Sequence, residues 1–215
     1  MVLHIITYLG IGRMDWAGIA SVLAVFVSAL SAILSFRQQS YNKEQEYRIK
    51  RREEEDKEQR RRDKIASQNI YRELWALLNE WDNVLRVYIV QPHPLDRAKY
   101  ISVQYEVLSE GMISIMPLVH RTPIGNMAGF VVELKENEFL YWKSQSSVRD
   151  GRARSVMHQI GTDKMCAVRM MDGEVWKGNI VVDFDESHIN EDEVRERLQE
   201  ARTLVQYMLP EIEEL

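Results

Sequence analysis

The sequence predicts a mainly α protein: a single transmembrane helix, a charged helical stalk and a C-terminal helical bundle. Three observations predict it. Residues 16–36, "WAGIASVLAVFVSALSAILSF", carry no charge. The following run to residue 64 alternates opposite charges at helical spacing. Beyond it, apolar residues recur at intervals of three and four.

Taken in order, residues 1–15 form a short apolar N-terminal segment, too short to span a bilayer. Met14 offers a second start, from which the chain would open as a plain signal-anchor. The uncharged stretch of 21 residues would rise about 31 Å as a helix, close to the hydrocarbon thickness of a membrane. Only Arg13 precedes it, whereas Arg37, Lys43, Arg48, Lys50, Arg51 and Arg52 follow. A cleaved signal has the opposite asymmetry. The cationic flank stays inside, so the reading is a single-pass inner-membrane protein, N-terminus out and C-terminal domain cytoplasmic. Ala17, Ser21, Ala24, Ser28, Ser31 and Ser35 are spaced 4-3-4-3-4 along one seam. Small seams let membrane helices approach closely, so a homo-oligomer is expected.

Residues 37–64 hold 11 Lys/Arg and 8 Asp/Glu and lack Gly and Pro. Glu44–Arg48, Glu46–Lys50, Arg51–Glu55 and Arg52–Asp56 are among seven i,i+4 pairs of opposite sign. Each pair contributes about 0.2–0.5 kcal/mol to a helix. The seam positions carried onward are mostly polar (Gln38, Asn42, Gln45, Arg52), so a solvated single helix is read ahead of a coiled coil.

Residues 65–215 hold the remaining charge, net -8. Such an acidic domain excludes a broad nucleic-acid footprint. Ile70, Leu74, Leu77, Leu78, Trp81, Val84, Leu85 and Tyr88 predict one amphipathic helix, ended by "QPHP". Ile101, Tyr105, Leu108, Met112, Ile115 and Val119 predict a second, and Met127, Phe130, Val131, Leu134 and Tyr141 a third. Residues 152–171 lean to helix, although Asp172-Gly173 and the β-prone "NIVVDF" suit a short hairpin near 168–184. Asn190 with Glu193 resembles a capping box, and Val194, Leu198, Ala201 and Val205 face one way, predicting a final helix before Pro210.

Signals for chemistry are sparse. There is no Walker loop, dinucleotide fingerprint, CxxC or HExxH. No cofactor is called for. The single cysteine, Cys166, permits no intrachain disulfide and sits in an apolar neighbourhood, as a core residue does. Asp183, Asp185 and His188 are candidate metal ligands, although the calcium-loop pattern fails at His188 and Val194. Arg149, Arg152 and Arg154 form a candidate anion patch, because guanidinium forks match phosphate oxygens.

The functional expectation is a membrane-anchored protein presenting a cytoplasmic helical regulatory domain to an unidentified cytoplasmic protein partner. Two alternatives stand beside it. One is a membrane-perturbing effector, a toxin or phage-defence component acting through the small-residue seam. The other is a membrane-tethered metal-dependent hydrolase using residues 183–191. The layout is similar to that of bacterial signal-anchor proteins in architecture alone.

Overall fold

The computed structural model describes residues 16–95, 97–185 and 187–210, and side chains within these except at 16–19 and 22. The chain divides into two compact units, residues 1–59 and 60–215.

In the first unit the described backbone is part of helix α1, Trp16–Leu78. Ion pairs along its exposed surface join Glu44 to Arg48 at 2.7 Å and Arg51 to Glu55 at 2.9 Å. Among the described residues no helix is long and apolar enough to cross a membrane. The transmembrane helix, the inner-membrane location with its N-out orientation, the membrane as partner and the membrane-perturbing effector are therefore corrected. The small-residue seam lies on α1, with side chains described at Ser21, Ala24, Ser28, Ser31 and Ser35. Two of its hydroxyls are engaged locally. Ser28 Oγ donates to the Ala24 carbonyl at 2.8 Å and Ser35 Oγ to the Ser31 carbonyl at 2.6 Å. Ala17 lies outside the residues whose side chains are described.

The second unit is built on a sheet, which overturns the expected helical bundle and coiled coil. Six antiparallel strands lie in the order β3-β2-β1-β6-β5-β4. They are β1 Val84–His93, β2 Tyr100–Leu108, β3 Thr122–Pro123, β4 Phe139–Trp142, β5 Lys164–Asp172 and β6 Val175–Phe184. Three further α-helices are α2 Ala128–Glu136, α3 Gly151–Ile160 and α4 Glu191–Val205. The amphipathic helix expected through Tyr88 ends at Leu78, and Val84 begins a strand. The second expected helix is β2, whose Ile101, Val103, Tyr105 and Val107 alternate with Ser102, Gln104 and Glu106. The third contracts to α2, and Tyr141 belongs to β4. Helix α3 covers only the first part of 152–171, because Gly161 at φ 69° ends it in the left-handed conformation. The hairpin considered near 168–184 starts four residues earlier, as β5–β6 over 164–184, closed by Asp172 opposite Val175. Gly173 at φ 58° supplies the turn.

Each face of the sheet buries its own core. On one face, Ile70, Leu74 and Leu77 of α1 and Val194, Leu198, Ala201 and Val205 of α4 pack on Val87, Ile89, Val168, Ile180 and Phe184. Arg197 of α4 pairs with Glu73 at 2.8 Å and Glu80 at 3.3 Å, joining the two helices. On the other face, Phe130, Val131 and Leu134 of α2 and Ala153, Val156, Met157 and Ile160 of α3 cover Tyr88, Val90, Ile101, Met165 and Val181. Gly178 is required where β6 meets β1: its φ is 132°, and a Cβ there would lie 2.2 Å from the Val90 carbonyl oxygen.

Candidate functional site

The second face holds the polar chemistry. Alternation along β1 turns Arg86, Tyr88 and Val90 toward α2 and α3, while Val87 and Ile89 face α1 and α4. The register sets Arg86 directly opposite Asp183 of β6. Both side chains are fully buried. Arg86 Nη1 donates to Asp183 Oδ2 at 3.0 Å and to Thr162 Oγ1 at 2.9 Å, and Nη2 donates to the Ile160 carbonyl at 2.7 Å. Thr162 Oγ1 donates in turn to Asp183 Oδ2 at 2.8 Å, and Tyr88 OH donates to Asp183 Oδ1 at 3.2 Å. Arg86 Nε is buried with no hydrogen-bond partner among the described residues. Burial pushes the Asp183 carboxyl up to about 6, against the opposing pull of Arg86 and the hydrogen bonds from Thr162 and Tyr88. The Tyr88 phenol is pushed well above its ordinary value by the same burial and by the Asp183 charge.

Beside this cluster lies a cavity of about 20 Å³, lined by Tyr88, Val90, Ile101, Phe130, Met157 and Met165 among other apolar residues. A volume of this size admits about one water molecule. Tyr88 and Met165 belong to both features, since the Tyr88 hydroxyl also points at Met165 Sδ at 3.4 Å. A second, open groove of about 370 Å³ runs past Gln145, Arg154, Ser155 and His158. Gln145 Nε2 donates to the Thr162 carbonyl at 2.9 Å, linking that groove to the buried cluster.

The residues singled out from sequence separate in space and role. Asp183 is the partner of Arg86, so it is not presented as a free carboxylate. Hydrogen bonds from Ser187, first its side chain and then its N–H at 2.7 Å, hold the Asp185 carboxyl below the usual range, and His188 is exposed. Among the described residues no group of three His, Cys, Asp or Glu is placed to hold a metal ion. The expected metal-dependent hydrolase is corrected along with its membrane tether. Arg149 lies 3.9 Å from Glu133. Arg154 binds the Val148 carbonyl through Nε at 3.1 Å and Nη2 at 2.8 Å. Arg152 is exposed at the start of α3, where its backbone N–H donates to Asp150 Oδ1 at 3.0 Å. Cys166 is buried on the opposite face, in the core with α1 and α4, and burial pushes its thiol far up.

Sequence reasoning missed Arg86, Tyr88 and Thr162. The one available signal is Arg86 itself, a charge inside the β-branched and aromatic run "VLRVYIV". A charge there must be paired when the strand is central.

A second buried polar pair sits at the end of β1. His93 Nε2 lies 2.9 Å from Ser102 Oγ, which also accepts from the Arg121 N–H at 2.8 Å. Both side chains are buried.

No protein-family model matches the sequence, and no curated protein matches it. Solved structures do share the fold. The chromophore-binding domain of an unusual bacteriophytochrome from R. palustris is 11% identical, with a TM-score of 0.51. The match covers 71% of this chain and 60% of that one, so this chain spans well under the length of that domain. The blue-light-absorbing form of the Thermosynechococcus elongatus PixJ GAF domain is 13% identical, with a TM-score of 0.50, covering 70% of this chain and 88% of that one. A far-red cyanobacteriochrome photoreceptor is 11% identical, with a TM-score of 0.53, covering 71% and 91%. The fold is GAF-like. At these identities the likeness is one of fold.

Proposed function

We propose that this chain is a GAF-like sensor domain that responds to a small molecule and works without a chromophore. The observation that carries the reading is the cavity between the sheet and helices α2 and α3. It is about 20 Å³ in volume and lined by apolar side chains next to a fully buried ion pair. A drug-sized ligand needs on the order of 300 Å³ or more, and a linear tetrapyrrole is larger still. The interior is therefore filled by this chain's own Phe130, Val156 and Met157 where a pigment would need room. Met127, Met157 and Met165 also line the cavity. Methionine is unbranched and adapts its rotamers, so these walls admit a small apolar molecule by side-chain movement alone.

Two measurements test this on the full chain. Incubation with a linear tetrapyrrole followed by gel filtration is expected to leave the protein colourless; a stoichiometric co-eluting visible band would make it a photoreceptor. Methyl-labelled Met127, Met157 and Met165 are expected to shift in NMR spectra on adding indole or benzene. Methyl signals that stay fixed with both probes would overturn the sensor reading and leave a packed core.

A further inference from the structure

We infer that the open groove beside α3 is a second binding site, for the phosphoryl group of a small phosphoester. It lies outside the interior cavity and shares none of its lining residues. Its volume of about 370 Å³ falls in the roughly 300–1,000 Å³ range of small-ligand pockets. Its lining is polar and cationic: the Arg154 guanidinium, the His158 imidazole, the Ser155 hydroxyl and the Gln145 amide.

The arrangement is prepared for an anion. Arg154 Nε and Nη2 both donate to the Val148 carbonyl. Two bonds to one fixed acceptor lock the side chain and leave Nη1 without a partner among the described residues. A preorganised guanidinium loses little freedom when an oxyanion binds it. Ser155 and His158 follow Arg154 on α3 at one and four positions, so Arg154 and His158 share one helical edge. The nearest acid in sequence, Asp150, is spent on backbone donors. Its Oδ1 accepts from Arg152 and Ala153 at 3.0 Å each and its Oδ2 from Gly129 at 3.2 Å. Gln145 connects the groove to the interior, because the Thr162 that it holds belongs to the Arg86–Asp183 cluster.

Calorimetric titration of the full chain with inorganic phosphate, then with phenyl phosphate, at matched ionic strength in chloride, tests the site. Saturable one-to-one binding is expected. Arg154→Gln should weaken it about tenfold or more, the loss of one charge-assisted donor set. Arg152→Gln, on the same helix and outside the groove, should leave it unchanged. Equal losses in both variants would mean a diffuse basic surface and would overturn the site. So would the absence of saturable binding of either probe to the wild-type chain. Near-UV circular dichroism reports whether Arg154→Gln still folds. If it does not, His158→Ala, which removes an exposed side chain, decides: weaker binding supports the groove and unchanged binding overturns it.

Discussion

The two faces of the sheet are built on different terms. The face covered by α1 and α4 has an apolar core in which the Cys166 sulfur is sealed, with its one described ion-pair cluster, Arg197 with Glu73 and Glu80, tying the two helices together. The face covered by α2 and α3 places Arg86, Asp183 and Thr162 out of water, beside a methionine-lined void. An apolar face gains stability from every contact and needs no partner in return. A buried ion pair only returns what it cost to desolvate, and it does so only while every member is present. The first face therefore holds the fold together, and the second holds a part of it that depends on its own completeness.

The largest effect that would break this contrast is expected at Arg86. Arg86→Ala leaves Asp183 buried without its partner and should cost about 3–5 kcal/mol, read by urea unfolding. The double variant Arg86→Met with Asp183→Leu should recover most of that loss. A double variant no more stable than Arg86→Ala would show that the cluster is worth more than its burial. On the other face, Leu198→Ala should cost about 2–4 kcal/mol with no rescue by any charge change, since only packing is lost.

A pH titration sharpens the comparison. The Asp183 carboxyl sits at about 6 in the folded chain, above its unfolded value of about 3.9. The folded state thus binds the extra proton more tightly. The contribution of this group to stability is fully present below the unfolded value and is lost as pH rises through about 6. Asp183→Asn should abolish that part of the slope between pH 4 and 6, whereas Leu198→Ala should keep it. The smallest effect belongs to the cavity wall. Met157→Leu should change stability by less than about 1.5 kcal/mol, because volume is nearly conserved.

Legibility in the sequence followed the same division. The contacts of α4 and of Ile70, Leu74 and Leu77 repeat at three and four positions, and both segments read as helices. The strands did not, for a geometric reason. Periods of 2 and 3.6 coincide at every fourth residue, so Ile101 and Tyr105 fit either pattern, and only Val103 and Val107 between them decide. In β1 the deciding position is Arg86, a charge where an alternating strand should show an apolar residue. The feature that makes the site thus hid the strand that carries it. Asp183 was visible as a carboxylate, but its partner lies 97 positions away, and no local pattern joins the two.

The outermost strands carry a consequence for self-assembly. Sheet edges expose unpaired backbone groups that recruit further chains into fibres. Here β3 is two residues ending on Pro123, which has no N–H to offer, and β4 is four residues. Only β1 and β6, ten residues each, have long partners on both sides, and the outermost strands are themselves too brief to template another strand over the length of the sheet. By contrast, β3 covers β2 only at Tyr100 and Ile101, so the flank open to a further strand lies along the rest of β2.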